Sequence, residues 1–434
     1  MTKFFSLTLT VLASFLLLQG CSSQSGWETP PASQPQAATT APATAINNQP
    51  GGAPLFASAR QTPPLTTTLV PPPVLNARKI KVALLVPLSG QGAEIGESIS
   101  NAAQMALFDS GSDGFELSPR DTHGTPAGAA AAAQDAIRDG AQLILGPLMS
   151  DDVRAVTPIA QAANINVIAF TTDLKQAGPN TFIMGFVPTG QVQRVVSYAA
   201  SKGIRSIGVI APQTEYGNVV LNAYTSQAAL SGIQTVDVLR TRPGDPNIST
   251  ALQKFSNSDA RKKTPGLRAP FDAVFMPVGG TDAQTIGNLL SYHDLDPQSV
   301  RRLGTGLWDD AIFSHETNLA GGWFAAPDPA ARKVFEQKYQ STYGSSPSRL
   351  ASLGYDATAL AAVLARNSQS RSGLFGGTLF DRAAITNPNG FSGIDGIFRF
   401  GNDGLAERGL AILELRNGTG VVVDPAPRNF QSSP

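Results

Sequence analysis

Apolar residues in this chain fall into short runs separated by polar, glycine- and proline-containing breaks, and the first clean run sets the rhythm for the rest. Ile80, Val82, Leu84, Leu85 and Val86 follow one another with almost no polar interruption. A β-branched and aliphatic run of this kind predicts a strand buried on both faces, as in a parallel sheet covered by helices. Pro87 and Gly90 end it, and helical spacing follows over 97–109 through Met105 and Leu107.

The same unit then recurs. A strand is predicted over Phe115–Arg120, an alanine-rich helix over 127–139 ended by Gly140, and a buried strand at Leu143–Leu145 stopped by Gly146-Pro147. A helix over 151–163 and strands over Asn166–Phe170 and Thr181–Phe186 complete a first half, with Pro188 marking a change of direction. The alternation restarts with helix Gln191–Ser201, strand Ser206–Ile210, helix Asn218–Leu230 and strand Val236–Leu239. Past a polar stretch over 241–270 come strand Ala273–Met276, helix Thr281–Leu290 and strand Arg302–Thr305. Helices over 330–343 and 355–366 follow, then a closing strand pair, Ile397–Phe400 with Leu410–Leu415, with Gly401–Gly404 as turn material. This pattern predicts an α/β fold of two Rossmann-like lobes, each a parallel sheet with helices on both faces, and a cleft between them.

Composition narrows the function. The 434 residues suffice for two domains, and formal net charge is zero with only 15% charged residues. No long basic or acidic block appears, so nucleic acid is not an expected partner. Cys21 is the single cysteine, which excludes an intramolecular disulfide and a cysteine-based metal site. His123, His293 and His315 lie far apart, and each is expected to be a satisfied surface or core histidine rather than a metal ligand.

The first 78 residues carry a different signal. Lys3 precedes an apolar stretch over 4–18, and Gln19-Gly20-Cys21 follows directly. This is the layout of a secretory signal peptide over residues 1–20, too short for a comfortable transmembrane helix. Leu18-Gln19-Gly20-Cys21 resembles a bacterial lipobox, which implies lipidation of Cys21 and, with Ser22 next, an outer-membrane anchor. Residues 22–78 are dominated by Pro, Ala, Thr, Gln and Ser, with Glu28, Arg60 and Arg78 the only charges. Such a segment patterns too little apolar surface to offset the cost of ordering it, so residues 21–78 are expected to be a disordered tether.

Motifs of catalysis are weak. Gly90-Gln91-Gly92 after a strand invites a dinucleotide-site reading, but Ile95 stands where the third glycine belongs and Gly96 comes one place late. A tight turn with close helix packing fits better, and no cofactor is expected. Asp121-Thr122-His123-Gly124 suggests an aspartic-protease loop, yet His123 breaks it and a strand end turning into a helix is the stronger reading. No hydrolase elbow, phosphate loop or paired-carboxylate signature stands out, so an enzyme is not expected.

The segments VALLVPLSGQGAEIGESISNAAQMAL, RDTHGTPAGAAAAAQDAIRDGAQLILGPLMSDDV, INVIAFTTD and SIGVIAPQTEYG, with Gly354-Tyr355-Asp356-Ala357, carry a family resemblance. They resemble the type I periplasmic-binding proteins of the leucine-binding-protein-like group over about residues 79–424. The resemblance implies two lobes, 79–187 plus 327–388 and 188–326 plus 389–424, with 425–434 as a tail. By the same resemblance a ligand's carboxylate and amine would meet Ser150, Ala169, Thr171 and Tyr216, with Trp308 or Asp309 facing the amine and Ser89 and Gly90 lining the rim. For Ser150 a helix cap and for Ser89 a turn role are the plain structural alternatives.

Two functions compete within that group. The combination of LLVPLSG, Asp121-Thr122 with Gly124 and Pro126, and LILGPL is similar to penicillin-binding protein activators, lipoproteins that reach a peptidoglycan synthase across the periplasm. Together with the lipobox and tether, this implies a non-enzymatic, outer-membrane-anchored periplasmic lipoprotein that regulates such a synthase. The alternative is the solute-binding protein of an ABC transporter for amino acids or similar small ligands.

Overall fold

The computed structural model describes residues 79–111, 115–369 and 379–430. The expected signal peptide, Cys21, the tether and the last residues of the tail lie outside them. In the first lobe the chain runs β1 (Ile80–Val86), α1 (Ala93–Ser110), β2 (Phe115–Asp121), α2 (Pro126–Arg138), β3 (Leu143–Leu145), α3 (Ser150–Ala162), β4 (Asn166–Ala169) and β5 (Thr181–Ile183). The five strands are parallel in the order β2-β1-β3-β4-β5. Alternate residues of β1 go to opposite faces: Val82, Leu84 and Val86 join one core, and Ala83 and Leu85 the other. Both faces are covered, which is why the run is wholly apolar from Val82 to Val86, with Lys81 half-buried near its start.

The second lobe repeats the plan with α4 (Pro188–Ser201), β6 (Ser206–Pro212), α5 (Glu215–Leu230), β7 (Gln234–Thr241), α6 (Ile248–Phe255), α7 (Ser258–Lys263), β8 (Ala273–Phe275), α8 (Gly280–Tyr292), β9 (Arg301–Gly304) and β10 (Trp323–Ala326). Its parallel strands take the equivalent order β7-β6-β8-β9-β10. Ala273 and Phe275 of β8 pack into one core and Val274 and Met276 into the other, the same two-sided burial as in β1. The stretch expected to be only polar loop contains α6 and α7, because Leu252 and Phe255 give it a buried face. Arg261, on α7, donates to the carbonyls of His293 at 3.3 Å and Asp294 at 2.7 Å, so its charge serves the fold.

The chain then returns to the first lobe. It forms α9 (Pro329–Tyr343), α10 (Ala351–Gln369), α11 (Arg382–Ile385) and a small antiparallel sheet of β11 (Phe391–Gly393), β12 (Gly396–Phe400) and β13 (Ala406–Arg408). Phe398 and Phe400 enter the first-lobe core, the Phe400 ring meets Phe182 at 5.4 Å, and Leu405 bridges to Ile183. Only after Arg408 does the chain cross back, as β14 (Ala411–Arg416) and β15 (Thr419–Asp424) extend the second sheet antiparallel from β10. Two expectations are therefore corrected. Residues 389–408 belong with the first lobe, and the expected closing pair does not exist, since β12 pairs with β11 and β13 while β14 pairs with β10 and β15. Aromatic burial explains both: the phenylalanines of β12 complete a core that the first five strands leave open on one side.

Candidate functional site

Three crossings join the lobes, at Val187-Pro188, Ala326-Pro327 and the stretch between Arg408 and Ala411. All three border a cavity of about 800 Å³, within the size range of sites for small organic ligands. The first lobe contributes Ser150 at the start of α3, the loop Thr171–Lys175 after β4, and Phe186 after β5. The second contributes Glu215, Tyr216 and Val219 of α5 together with Gly306, Leu307 and Asp309 after β9. This is the carboxyl end of both parallel sheets, where open α/β folds leave room for ligands.

Polar groups on the first-lobe wall hold one another. The Ser150 hydroxyl donates to Asp173 at 2.5 Å, and Gln176 donates to the same carboxylate at 2.9 Å. The Ser150 hydrogen bond is the leading reason that Asp173 titrates below the usual carboxylate range. Thr171, almost fully buried, accepts from the Asp173 N–H at 3.1 Å. Ser150 is not a cap: it is the first helical residue, after Met149. Across the mouth, Lys175 donates to Glu215 of the other lobe at 2.7 Å, and this bond raises the lysine's pKa and lowers the glutamate's.

On the second-lobe wall the Tyr216 hydroxyl is tied to Thr305 at 3.0 Å, and burial pushes its pKa up. Asp309 lines the cavity, but Arg332 donates to it at 2.5 Å and Arg349 stands 3.9 Å away. Arg349 also reaches Asp395 at 3.2 Å and lies over the Phe186 ring at 4.3 Å. Arg408 covers the other side of that aromatic cluster, 4.9 Å from Phe186 and 5.5 Å from Phe398. Behind the two arginines lies Asp356, fully buried, whose pKa is raised to about 7 by burial and then by the neighbouring Asp395.

Ser150, Thr171, Tyr216 and Asp309 thus come together around one cavity, while four other expected residues, Ala169, Trp308, Ser89 and Gly90, do not. Ala169 is buried in the first-lobe core, and its carbonyl accepts from Met184 at 2.8 Å. Trp308 is turned into the second-lobe core, donating to the Val278 carbonyl at 3.0 Å; a large apolar ring gains more from that burial than from the cavity edge. Ser89 and Gly90 are not on the rim. The Ser89 hydroxyl closes its own loop onto Asp121 and His123, each at 2.7 Å. Sequence reasoning passed over Phe186, Arg349 and Arg408. Phe186 looked like a strand residue, Arg349 sits in the connection before α10, and Arg408 ends β13, which is too short to show a period. Among the described residues no group of three His, Cys, Asp or Glu side chains suits a metal ion, and no helix is long and apolar enough to cross a membrane.

Fold and cavity together define a two-lobed binding protein. The chain belongs to the periplasmic binding protein family, whose model matches residues 79–419. It is 25% identical over 282 residues to the Leu/Ile/Val-binding protein BraC3 of Rhizobium johnstonii, covering 59% of this chain and 71% of that protein. A crystal structure of a putative branched-chain amino acid ABC transporter protein from Rhodospirillum rubrum matches with a TM-score of 0.68 at 19% identity, over 80% of this chain and all of that one. A shorter match, 27% identical over 147 residues, reaches the penicillin-binding protein activator LpoA of Glaesserella parasuis, covering 34% of this chain and 25% of that protein. BraC3 is thus named as a binding protein and LpoA as an activator, neither as an enzyme.

Proposed function

We propose that this chain is a solute-binding protein that closes its two lobes on a small organic molecule and delivers it to a membrane transporter. The observation that carries this reading is the cavity of about 800 Å³ walled by both lobes and floored by all three crossings. Hinge closure of lobes around a ligand is the motion such a layout permits. The relatives support a transport role over the synthase-regulating role that the sequence favoured, since BraC3 aligns along more of this chain than LpoA does. The candidate contacts are Ser150, Thr171, Tyr216 and Asp309, joined by Phe186, Arg349 and Arg408. The lipobox-like Leu18–Cys21 supports a lipid tether at the membrane surface.

A thermal-unfolding screen of the protein against amino acids, organic acids and their amides tests the reading. A ligand at about a hundred times its Kd stabilises the native state by about 2.7 kcal/mol, a clear rise in Tm. A screen in which nothing raises Tm counts against solute binding. The alternative, regulation of a peptidoglycan synthase, rests on the LpoA match and is checked by adding the protein to a glycan-polymerising assay. An unchanged polymerisation rate disposes of it.

A further inference from the structure

The charged groups that line the cavity balance in number, three carboxylates against Lys175, Arg349 and Arg408, but they differ in how fully each is engaged. Three carboxylates line it, and each is already engaged. Asp173 takes the Ser150 hydroxyl and the Gln176 amide, Glu215 takes Lys175, and Asp309 takes Arg332 with Arg349 close by. An ammonium group would have to share an acceptor that already holds a donor. The cations are differently placed. Arg408 spends one nitrogen on the Met184 carbonyl at 2.8 Å, while its Nε and Nη1 are buried and have no hydrogen-bond partner among the described residues. Arg349 is closest to Asp395 at 3.2 Å, with Asp309 farther off at 3.9 Å, and roughly a third of its side chain is open, 32%.

A guanidinium carries five donors in a fixed fork, and leaving two of them buried and unpaired is costly. Arg349 and Arg408 line one end of the cavity beside the buried Asp395 and Asp356, while Arg332, outside the lining, pairs with Asp309 and with Glu336 at 3.0 Å. Burial and the neighbouring Asp395 both favour the neutral form of Asp356, which weakens its hold on the Arg408 guanidinium. Around these groups the wall is apolar: Leu174, Val187, Val219, Leu307, Leu350 and Leu410.

We propose that the cavity receives an organic carboxylate with an apolar body and no ammonium group, its anionic end held by Arg408 and Arg349 over the Phe186 ring. This assignment rests on the solute-binding reading and narrows it. It separates this chain's ligand from a zwitterionic amino acid, whose ammonium would compete with Ser150, Lys175 or Arg332 for a carboxylate.

The test is a matched ligand series titrated calorimetrically into the full chain: 4-methylpentanoate, its amide 4-methylpentanamide, and leucine, which is the same acid bearing an α-ammonium. Benzoate and benzamide form a second series with a flat body. The acid of at least one series is expected to bind roughly ten- to hundredfold tighter than its amide, and 4-methylpentanoate tighter than leucine. Arg408→Gln is expected to erase the acid's advantage over the amide, and Arg408→Lys to restore part of it. Should the glutamine variant not fold, the wild-type series and the lysine variant decide. Leucine or an amide binding as tightly as the matching acid overturns the anion assignment and leaves solute binding standing. Silence of both series, in a protein that also fails the wider thermal screen, removes the solute-binding reading and the assignment with it. Silence here alongside a hit elsewhere in that screen overturns the assignment only.

Discussion

The two lobes start with the same joint and use it differently. In each, a proline stands at the end of the first strand, Pro87 just past β1 and Pro212 as the last residue of β6, and the following helix lays a glycine against that proline's carbonyl. A Cβ on Gly96 would stand 1.8 Å from the Pro87 oxygen, and one on Gly217 would stand 1.9 Å from the Pro212 oxygen. Between strand and helix the lobes part company. The first inserts the loop Leu88–Gly92, which the Asp121 carboxylate ties down by accepting from the N–H groups of Leu88, Ser89 and His123 and from the Ser89 hydroxyl. The second has only Gln213 and Thr214, and Thr214 caps α5 by accepting from Gly217 at 3.1 Å. The short connection brings Glu215 and Tyr216 to the cavity, whereas the long one satisfies itself and faces elsewhere. A shared packing rule therefore sets the frame, and loop length decides which joint takes part in binding.

The comparison breaks first at its glycines. Gly96→Ala and Gly217→Ala are each expected to cost about 3 kcal/mol in urea unfolding, because the added carbon meets backbone that cannot step aside. Equal losses are expected, and a tolerated alanine in either lobe would show that the joints are not equivalent.

Asp121→Ala comes next, at about 2 kcal/mol, since four donors lose their acceptor. Burial alone would raise the pKa of Asp121, but the Ser89 hydroxyl and three N–H groups outweigh it and bring the value down to about 2. A depressed carboxylate contributes stability that is present above its unfolded pKa near 4 and lost as pH falls through about 2. Unfolding free energies measured from pH 5 down to 2 should show that loss in the wild type and much less of it in the alanine variant.

Asp356 has the opposite sign. With its pKa raised to about 7, the folded state holds a proton that the unfolded chain releases, so this group's contribution falls as pH rises from about 4 to about 7. Asp356→Asn should flatten that slope, with a gain on the order of 1 kcal/mol at pH 8. The gain is kept small because Asp395 shares the site and the amide leaves part of the hydrogen bonding unmatched. Smallest of all is Lys175→Met. Its ion pair with Glu215 lies in solvent, and no measurable change in unfolding midpoint is expected.

Much of this architecture was readable from the chain. Two-sided apolar runs such as 80–86 and 273–276 admit one interpretation, and proline and glycine mark their ends. The third crossing was misplaced because the fold there depends on Phe398 and Phe400 reaching a core built some two hundred residues earlier, which no local pattern reveals. The cavity lining was legible at hydroxyls in the segments that follow strands, as at Ser150 and Thr171. It was not readable where one residue's neighbour decides. Trp308 and Asp309 are adjacent, yet the ring goes to the core and the carboxylate to the cavity. Arg349 and Arg408 gain their role only from the three crossings meeting in space.

The central claim is that a small solute binds between the lobes, and filling that space tests it most directly. Val219 projects from α5 into the cavity, and Val219→Trp would occupy it from the second-lobe wall. Thermal unfolding of wild type and variant with a ligand found in the screen should show a raised Tm in the wild type and none in Val219→Trp, with the ligand-free midpoints alike. A ligand that stabilises both proteins equally would place its site elsewhere and contradict the account.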